Sequence, residues 1–130
     1  MTRTAVVIAP GRGSYGAPEL GYLARHHGGQ SALLARFDAI RDEAGQETLT
    51  ALDRAKGYDA ARHGTGENAA ALIHACAYAD YLSIAEQDIE IVAITGNSMG
   101  WYTALACAGA LNAEDGFRLA NTMGRITTDL

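Results

Sequence analysis

Two short, uninterrupted apolar runs rich in β-branched residues mark the chain. The first spans residues 4–10 and is stopped by Pro10 and Gly11, and the second spans residues 89–95 and leads directly into Gly96. Continuous apolar runs of this length are typical of strands that a parallel sheet buries on both faces. We therefore predict two buried parallel strands.

The segments between and after these strands favour helices. Residues 31–45 carry apolar side chains at helical spacing, and residues 67–85 are alanine-rich without Gly or Pro. Further helical segments are predicted over 18–26, 48–55, 101–110 and, after a capping-box-like Asn112, 117–124. Residues 56–66 lack periodicity and are predicted to form a surface connection.

Strands that alternate with helices predict an α/β fold, with a parallel sheet flanked by helices. Two strands leave the edges of such a sheet open, so we expect further strands beyond Leu130. Residues 1–130 are therefore interpreted as a single, incomplete domain.

Composition and charge exclude several classes of function. Ten Lys plus Arg against fifteen Asp plus Glu give a net charge of −5, and the basic residues are scattered, which argues against nucleic-acid binding. No apolar run approaches a membrane span, and the first residues lack a signal-peptide pattern, so we expect a cytoplasmic protein without membrane association. Cys76 and Cys107 lie in alanine-rich runs and are interpreted as buried thiols.

A candidate nucleophile follows the second strand. Gly96-Asn97-Ser98-Met99-Gly100 fits the pattern G-x-S-x-G between a predicted strand and a predicted helix. The sharp turn strains the central residue, and glycine on either side removes Cβ atoms that would collide there. The following helix directs its free N–H groups toward Ser98, so Met99 N–H can stabilise an oxyanion. The alternative is that Ser98 merely caps that helix.

Serine needs a neighbouring base, which is usually histidine. His26 and His27 lie at a predicted helix end, His63 in a predicted connection and His74 in the alanine-rich helix, and none has a setting that identifies it as a base. His74 and Cys76 point in different directions on a helix, and the sequence holds no zinc pattern, so we predict no metal site.

The turn after the first strand is also rich in glycine. Gly11, Gly13 and Gly16 satisfy G-x-G-x-x-G, which by itself suggests a dinucleotide site. That interpretation requires a second strand ending in an acidic residue about 20 residues on. Asp38 instead lies in a predicted helix, which argues against nucleotide binding.

Taken together, the motifs resemble the malonyl-CoA:acyl carrier protein transacylase family over nearly the whole chain. The family's patterns are P-G-Q-G-S near the start, then G-H-S-x-G-E-Y-x-A-L followed by A-G-A-L. The matching segments here are Pro10 to Ser14, Gly96 to Leu105, Ala108 to Leu111 and Glu114 to Leu119.

The resemblance implies an incomplete α/β-hydrolase-like large subdomain and acyl transfer in fatty acid or polyketide biosynthesis. Ser98 would take an acyl group from coenzyme A as an ester and pass it to the phosphopantetheine thiol of an acyl carrier protein. The backbone N–H groups of Arg12 and Met99 would form the oxyanion hole. Acyl-coenzyme A is then a substrate, and no cofactor is implied.

This sequence departs from the family at positions that bear on specificity. Asn97 replaces the usual histidine and Trp101 the usual glutamate on either side of the serine motif. Family members that select malonyl place an arginine where this chain has Met123. Because a buried carboxylate without a partner is costly, we expect an uncharged acyl group, unless Arg125 reaches the same place.

The resemblance also implies that the family's ferredoxin-like subdomain and catalytic histidine lie outside these 130 residues. Two alternatives to the acyltransferase therefore stay open. One is a serine hydrolase or thioesterase with the same nucleophile turn, and the other is a non-catalytic acyl-coenzyme A-binding fragment.

Overall fold

The computed structural model describes residues 3–85 and 87–128. Strands and helices follow the predicted order of strand, helices, strand, helix, helix. They are β1 (Arg3–Ala9), α1 (Tyr22–His26), α2 (Ser31–Glu43), α3 (Leu49–Asp53), α4 (Ala60–His63), α5 (Gly66–Ala85), β2 (Ile89–Gly96), α6 (Gly100–Cys107) and α7 (Ala113–Thr128). The fold is an α/β arrangement of a parallel strand pair flanked by helices, as the sequence predicts.

The two strands pair in parallel, with Ala9 opposite Gly96. A register shift between Ala5 and Val6 interrupts the pairing. Beyond the last pair, Asn97 N–H donates to the Ala9 carbonyl at 3.0 Å. Both strands therefore end at one edge of the sheet, and the turns that follow them meet there.

The core lies among the helices, where α2, α5 and α7 meet. Phe37 and Phe117 are fully buried and stack with ring centroids 4.3 Å apart. Helices α5 and α7 pack so closely that a Cβ on Gly124 would lie 2.5 Å from Ala70 Cβ. Small residues at this crossing let the two helix backbones approach closely.

A buried arginine joins the same three helices. Arg41 is fully buried, and its Nη1 donates to Asn121 Oδ1 at 2.8 Å and to the Glu67 carbonyl at 3.0 Å. Its Nη2 donates to Asn68 Oδ1 at 2.5 Å, and its Nε donates to the Glu47 carbonyl at 2.6 Å. Burial lowers the pKa of Arg41, against the attraction of nearby carboxylates.

The prediction that both strands are buried on both faces is wrong for the residues described. Helices α5 and α6 pack against the sheet. Val6, Ile8 and Val92 nevertheless remain 56%, 68% and 56% exposed. β-Branched composition favours a strand, but burial requires a covering layer, which the described residues do not supply on that side.

Two helix predictions also need correction. Residues 18–26 do not form one helix, because a 3-10 turn over Ala17–Glu19 is separated from α1 by Gly21 at φ +84°. The segment 56–66 contains α4, which Asp59 caps by accepting from Ala61 N–H. His63 in this segment is fully buried rather than on the surface.

Candidate active site

Ser98 has the strained backbone that the motif predicts. Its φ is +55°, the one positive φ among the described non-glycine residues. A Cβ on Gly96 would lie 2.4 Å from the Gly100 carbonyl carbon, and a Cβ on Gly100 would lie 2.2 Å from the Ala9 carbonyl oxygen. Neither position accepts a side chain without displacing backbone, which accounts for the glycine on each side of the serine.

Backbone hydrogen bonds join the start of α6 to the serine turn. Gly100 N–H donates to the Asn97 carbonyl at 2.9 Å, and Trp101 N–H donates to the Ser98 carbonyl at 3.2 Å. Met99 is the N-cap residue of α6, so its N–H belongs to the first turn, where backbone N–H groups lack helical acceptors. Ser98 is exposed at the positive end of this helix.

The turn after β1 lies directly against Ser98. A Cβ on Gly11 would be 2.7 Å from the Asn97 carbonyl oxygen and 3.2 Å from Ser98 Cβ. Ser14 Oγ donates to the Gly11 carbonyl at 3.0 Å and closes the turn. Gly11 therefore permits the contact that places Arg12 beside the serine.

A cavity of about 250 Å³ opens beside Ser98. Its lining comes from both turns and from three helices: Arg12, Ser98 and Met99; Gly66 and Ala70 of α5; Tyr102 of α6; and Ala120, Met123, Gly124 and Thr127 of α7. Four of the six residues named from the sequence thus converge on one cavity. The α7 residues occupy positions i, i+3, i+4 and i+7 of one helix face, and this spacing is the sequence signal that could have identified them.

The other named residues lie elsewhere. Asn97 and Arg125 are exposed and do not line the cavity. From the sequence, Arg125 could reach the place of the family arginine that Met123 replaces. This arrangement does not support that alternative, because residues two apart on α7 face different directions. Trp101 is also outside the lining and is 53% exposed.

Arg12 is the charged side chain of the cavity lining. Its Nη2 donates to the Gly64 carbonyl at 2.8 Å, and the side chain is exposed. Arg12 thus lines the cavity while its guanidinium is anchored to Gly64, which is outside the lining. The rest of the lining is uncharged.

None of the four histidines lines this cavity. His63 Nε2 pairs with the Leu52 carbonyl at 2.8 Å, and His27 Nε2 pairs with Asp80 Oδ1 at 2.7 Å, while His26 is exposed. His74 is fully buried, its Nδ1 is 2.9 Å from Thr103 Oγ1, and its Nε2 has no hydrogen-bond partner among the described residues. Burial lowers the pKa of His74 to about 4.

A larger groove, of about 380 Å³, follows β1 and does not include Ser98. Its polar lining includes Tyr22 and Asp80, which are already paired, since Tyr22 Oη donates to both Asp80 carboxylate oxygens at 2.9 Å. Ser98 therefore opens into the smaller cavity and not into this groove.

The cysteines and Asp38 do not form a second candidate site. Cys107 is buried and Cys76 half-buried, both are free thiols, and burial raises the pKa of each, that of Cys107 to about 11. Asp38 lies within α2 and accepts from Leu49 N–H at 2.8 Å. Across residues 3–85 and 87–128, no three His, Cys, Asp or Glu side chains are grouped to hold a metal ion, and no helix is long and apolar enough to cross a bilayer.

These features define a class: a partial α/β fold with a serine at a strained strand-to-helix turn. No family model matches the sequence, and no curated protein matches it. Among solved structures, the malonyl-CoA:ACP transacylase of Synechocystis sp. PCC 6803 aligns with a TM-score of 0.68 at 20% sequence identity. The alignment covers 98% of this chain and 40% of that transacylase, so this chain has the fold of part of that enzyme.

Proposed function

We propose that Ser98 is the nucleophile of an acyltransferase that moves an acyl group from coenzyme A to the phosphopantetheine thiol of an acyl carrier protein. The observation that carries the proposal is the exposed Ser98 at φ +55°, between the N-terminus of α6 and the Arg12 turn, in the fold of part of a transacylase. Such a reaction belongs to fatty acid or polyketide assembly and takes place in the cytoplasm.

The proposed reaction has two steps, of which the first acylates Ser98. Ser98 Oγ attacks the thioester carbonyl while a base takes its proton, and the carbonyl oxygen becomes negatively charged. Backbone N–H groups of Met99 and Arg12 stabilise that oxygen. The carbon–sulfur bond then breaks, the coenzyme A thiolate takes the proton, and the acyl group remains on Ser98 as an ester. In the second step the carrier thiol gives its proton to the base and attacks the ester. The ester bond to Ser98 Oγ then breaks, and Ser98 Oγ takes the proton back.

The base is the missing component. No histidine lines the Ser98 cavity, so the proposed reaction needs a base from outside the described residues. The same absence favours one second candidate, a non-catalytic module that binds acyl-coenzyme A. In that case the cavity would bind the thioester and Ser98 would form no ester.

Product analysis separates these functions from each other and from hydrolysis. The chain is incubated with acetyl-coenzyme A, with and without a carrier protein, and both proteins are weighed by mass spectrometry. With imidazole supplied as the base, we expect an acyl adduct on this chain that moves to the carrier protein when carrier is added. Ser98→Ala should abolish both adducts, whereas Ser83→Ala, on α5 outside the cavity lining, should not. Free acid without acylated carrier would indicate a hydrolase, and thioester binding without an adduct would indicate a binding module.

A further inference from the structure

The turn after β1 carries the Arg12 N–H that the proposed oxyanion hole requires. Residues 12–14 are exposed, and a Cβ on Gly13, at φ +101°, would meet nothing within 4 Å. Among the acceptors of the described residues, none receives the Arg12 N–H. This donor is therefore free for a substrate oxygen, and its position depends on the contacts that hold the turn.

Two side chains of the turn bind the same neighbouring segment. Arg12 Nη2 donates to the Gly64 carbonyl at 2.8 Å. Tyr15 Oη donates to Asp53 Oδ1 at 2.8 Å, and both of these side chains are buried. Asp53 is the last residue of α3, and Gly64 is the C-cap of α4. The turn is therefore hydrogen-bonded at two points to residues 49–64, which we call the α3–α4 segment.

Hydrogen bonds also hold the α3–α4 segment together. His63 of α4 is fully buried, and its Nε2 pairs with the Leu52 carbonyl of α3 at 2.8 Å. Gly64 N–H donates to the Ala60 carbonyl at 3.0 Å. Because α4 holds the backbone at Gly64, the Gly64 carbonyl stays in place as an acceptor for the guanidinium.

The contact with Gly64 favours anchoring over ligand binding as the role of the Arg12 side chain. The guanidinium donates to a carbonyl outside the cavity lining, and it forms no ion pair with a described residue. Hydrogen bonds from a charged donor are stronger than those between neutral groups. Holding the end of this side chain restrains the backbone of the same residue, where a displacement of about 1 Å can lower a reaction rate about 100-fold.

We propose that Arg12 is a positioning residue, whose guanidinium holds the Arg12 N–H beside Ser98 by donating to Gly64. The α3–α4 segment provides the fixed acceptor, and Tyr15 holds the other end of the turn. This role belongs to the side chain and is separate from that of the backbone donor. The inference rests on the proposed function, because it takes that N–H as part of the oxyanion hole.

The test measures Ser98 ester formation from acetyl-coenzyme A, with imidazole as the base, in the unmodified chain and in Arg12→Met and Arg12→Lys. We expect Arg12→Met to lower the limiting acylation rate roughly tenfold, since displacing an oxyanion donor costs less than the factor of about 100 or more that follows its removal. The half-saturating thioester concentration and the melting temperature should not change. Arg12→Lys should recover part of the rate, because an ammonium can donate to the same carbonyl.

Arg25→Met is the matched control. Arg25 is also an exposed arginine that donates to a backbone carbonyl, that of Pro18 at 3.2 Å, and it lies outside the cavity lining. Its loss should leave the acylation rate unchanged. A limiting rate in Arg12→Met equal to that of the control would overturn the proposal. A higher half-saturating concentration with an unchanged limiting rate would also overturn it and would make Arg12 a ligand for an anionic group.

Backbone dynamics separate this inference from the proposed function. Nuclear magnetic resonance order parameters are measured for the amides of residues 12–14 in the same set of proteins. We expect values near 0.85 in the unmodified chain and in Arg25→Met, and below about 0.6 in Arg12→Met. That result without an ester on Ser98 in any protein would support the anchor and refute the proposed function alone. Equal order parameters in Arg12→Met and the unmodified chain would overturn the anchor whether or not Ser98 reacts.

Discussion

Replacing Arg41 by methionine removes a buried guanidinium from the point where α2, α5 and α7 meet. The substitution keeps most of the side-chain volume but deletes four hydrogen bonds, to Glu47, Glu67, Asn68 and Asn121. The bond to Asn121 is fully buried, so its amide oxygen would have no replacement partner. The substitution therefore destabilises the fold by leaving polar groups without hydrogen bonds, and it does not open a cavity.

The magnitude follows from the number of stranded acceptors. Each buried acceptor left without a partner costs about 1–3 kcal/mol, and the acceptors on Glu47, Glu67 and Asn68 are partly buried, so water can replace some of their bonds. We expect Arg41→Met to lower the free energy of unfolding by about 2–4 kcal/mol, out of a total of roughly 5–15 kcal/mol.

The assay is urea unfolding followed by circular dichroism, with Arg36→Met as the matched control. Arg36 lies on the same helix, its side chain is 54% exposed, and it pairs with Glu114. Its loss should cost under about 1 kcal/mol, as is usual for a surface ion pair. If Arg41→Met costs no more than Arg36→Met, the buried hydrogen bonds do not stabilise the helix junction and our reasoning is refuted.

Two further predictions concern the core and the serine turn. Because the pKa of His74 is lowered to about 4 while that of an unfolded histidine is about 6.5, protons bind preferentially to the unfolded chain as pH falls. Stability should therefore decrease by roughly 2–3 kcal/mol between pH 7 and pH 4.5, and urea midpoints should show a flatter pH dependence in His74→Gln; identical profiles would contradict the assignment. Gly100→Ala should cost several kcal/mol and abolish acylation, since its Cβ would lie 2.2 Å from the Ala9 carbonyl oxygen. Gly57→Ala, where a Cβ meets nothing within 4 Å, should change neither, and equal thermal melting points for the two variants would refute the steric argument.

Local sterics and periodicity made much of this structure predictable. The two strands, the long α5 and the turn at Ser98 depend on neighbouring residues, so short sequence patterns were sufficient to predict them. Helix α4 was missed because four residues show no periodicity, and only the Asp59 cap indicated it. The exposed faces of the strands could not be predicted, since burial depends on segments distant in sequence.

Part of the candidate site could also be predicted from short sequence patterns. Ser98 and Met99 follow from one motif, whereas the placement of Arg12 and Met123 near them came from a family resemblance. Arg41 gave a signal, a charged residue on an apolar helix face, but its partners lie up to 80 residues away and only the fold brings them together. The cavity lining beside Met123 likewise depends on contact between α5 and α7.

The most direct test of the account is the rate at which Ser98 acquires an acyl ester from acetyl-coenzyme A, with and without imidazole as a substitute base. Peptide mapping by mass spectrometry locates the ester, and Ser98→Ala provides the blank. We predict a slow reaction at Ser98 that imidazole accelerates, because the nucleophile and its backbone donors are in place while the base is not. Absence of an ester at Ser98 under both conditions, or esters spread equally over Ser14, Ser31 and Ser83, would contradict the claim that this turn is built for acyl transfer.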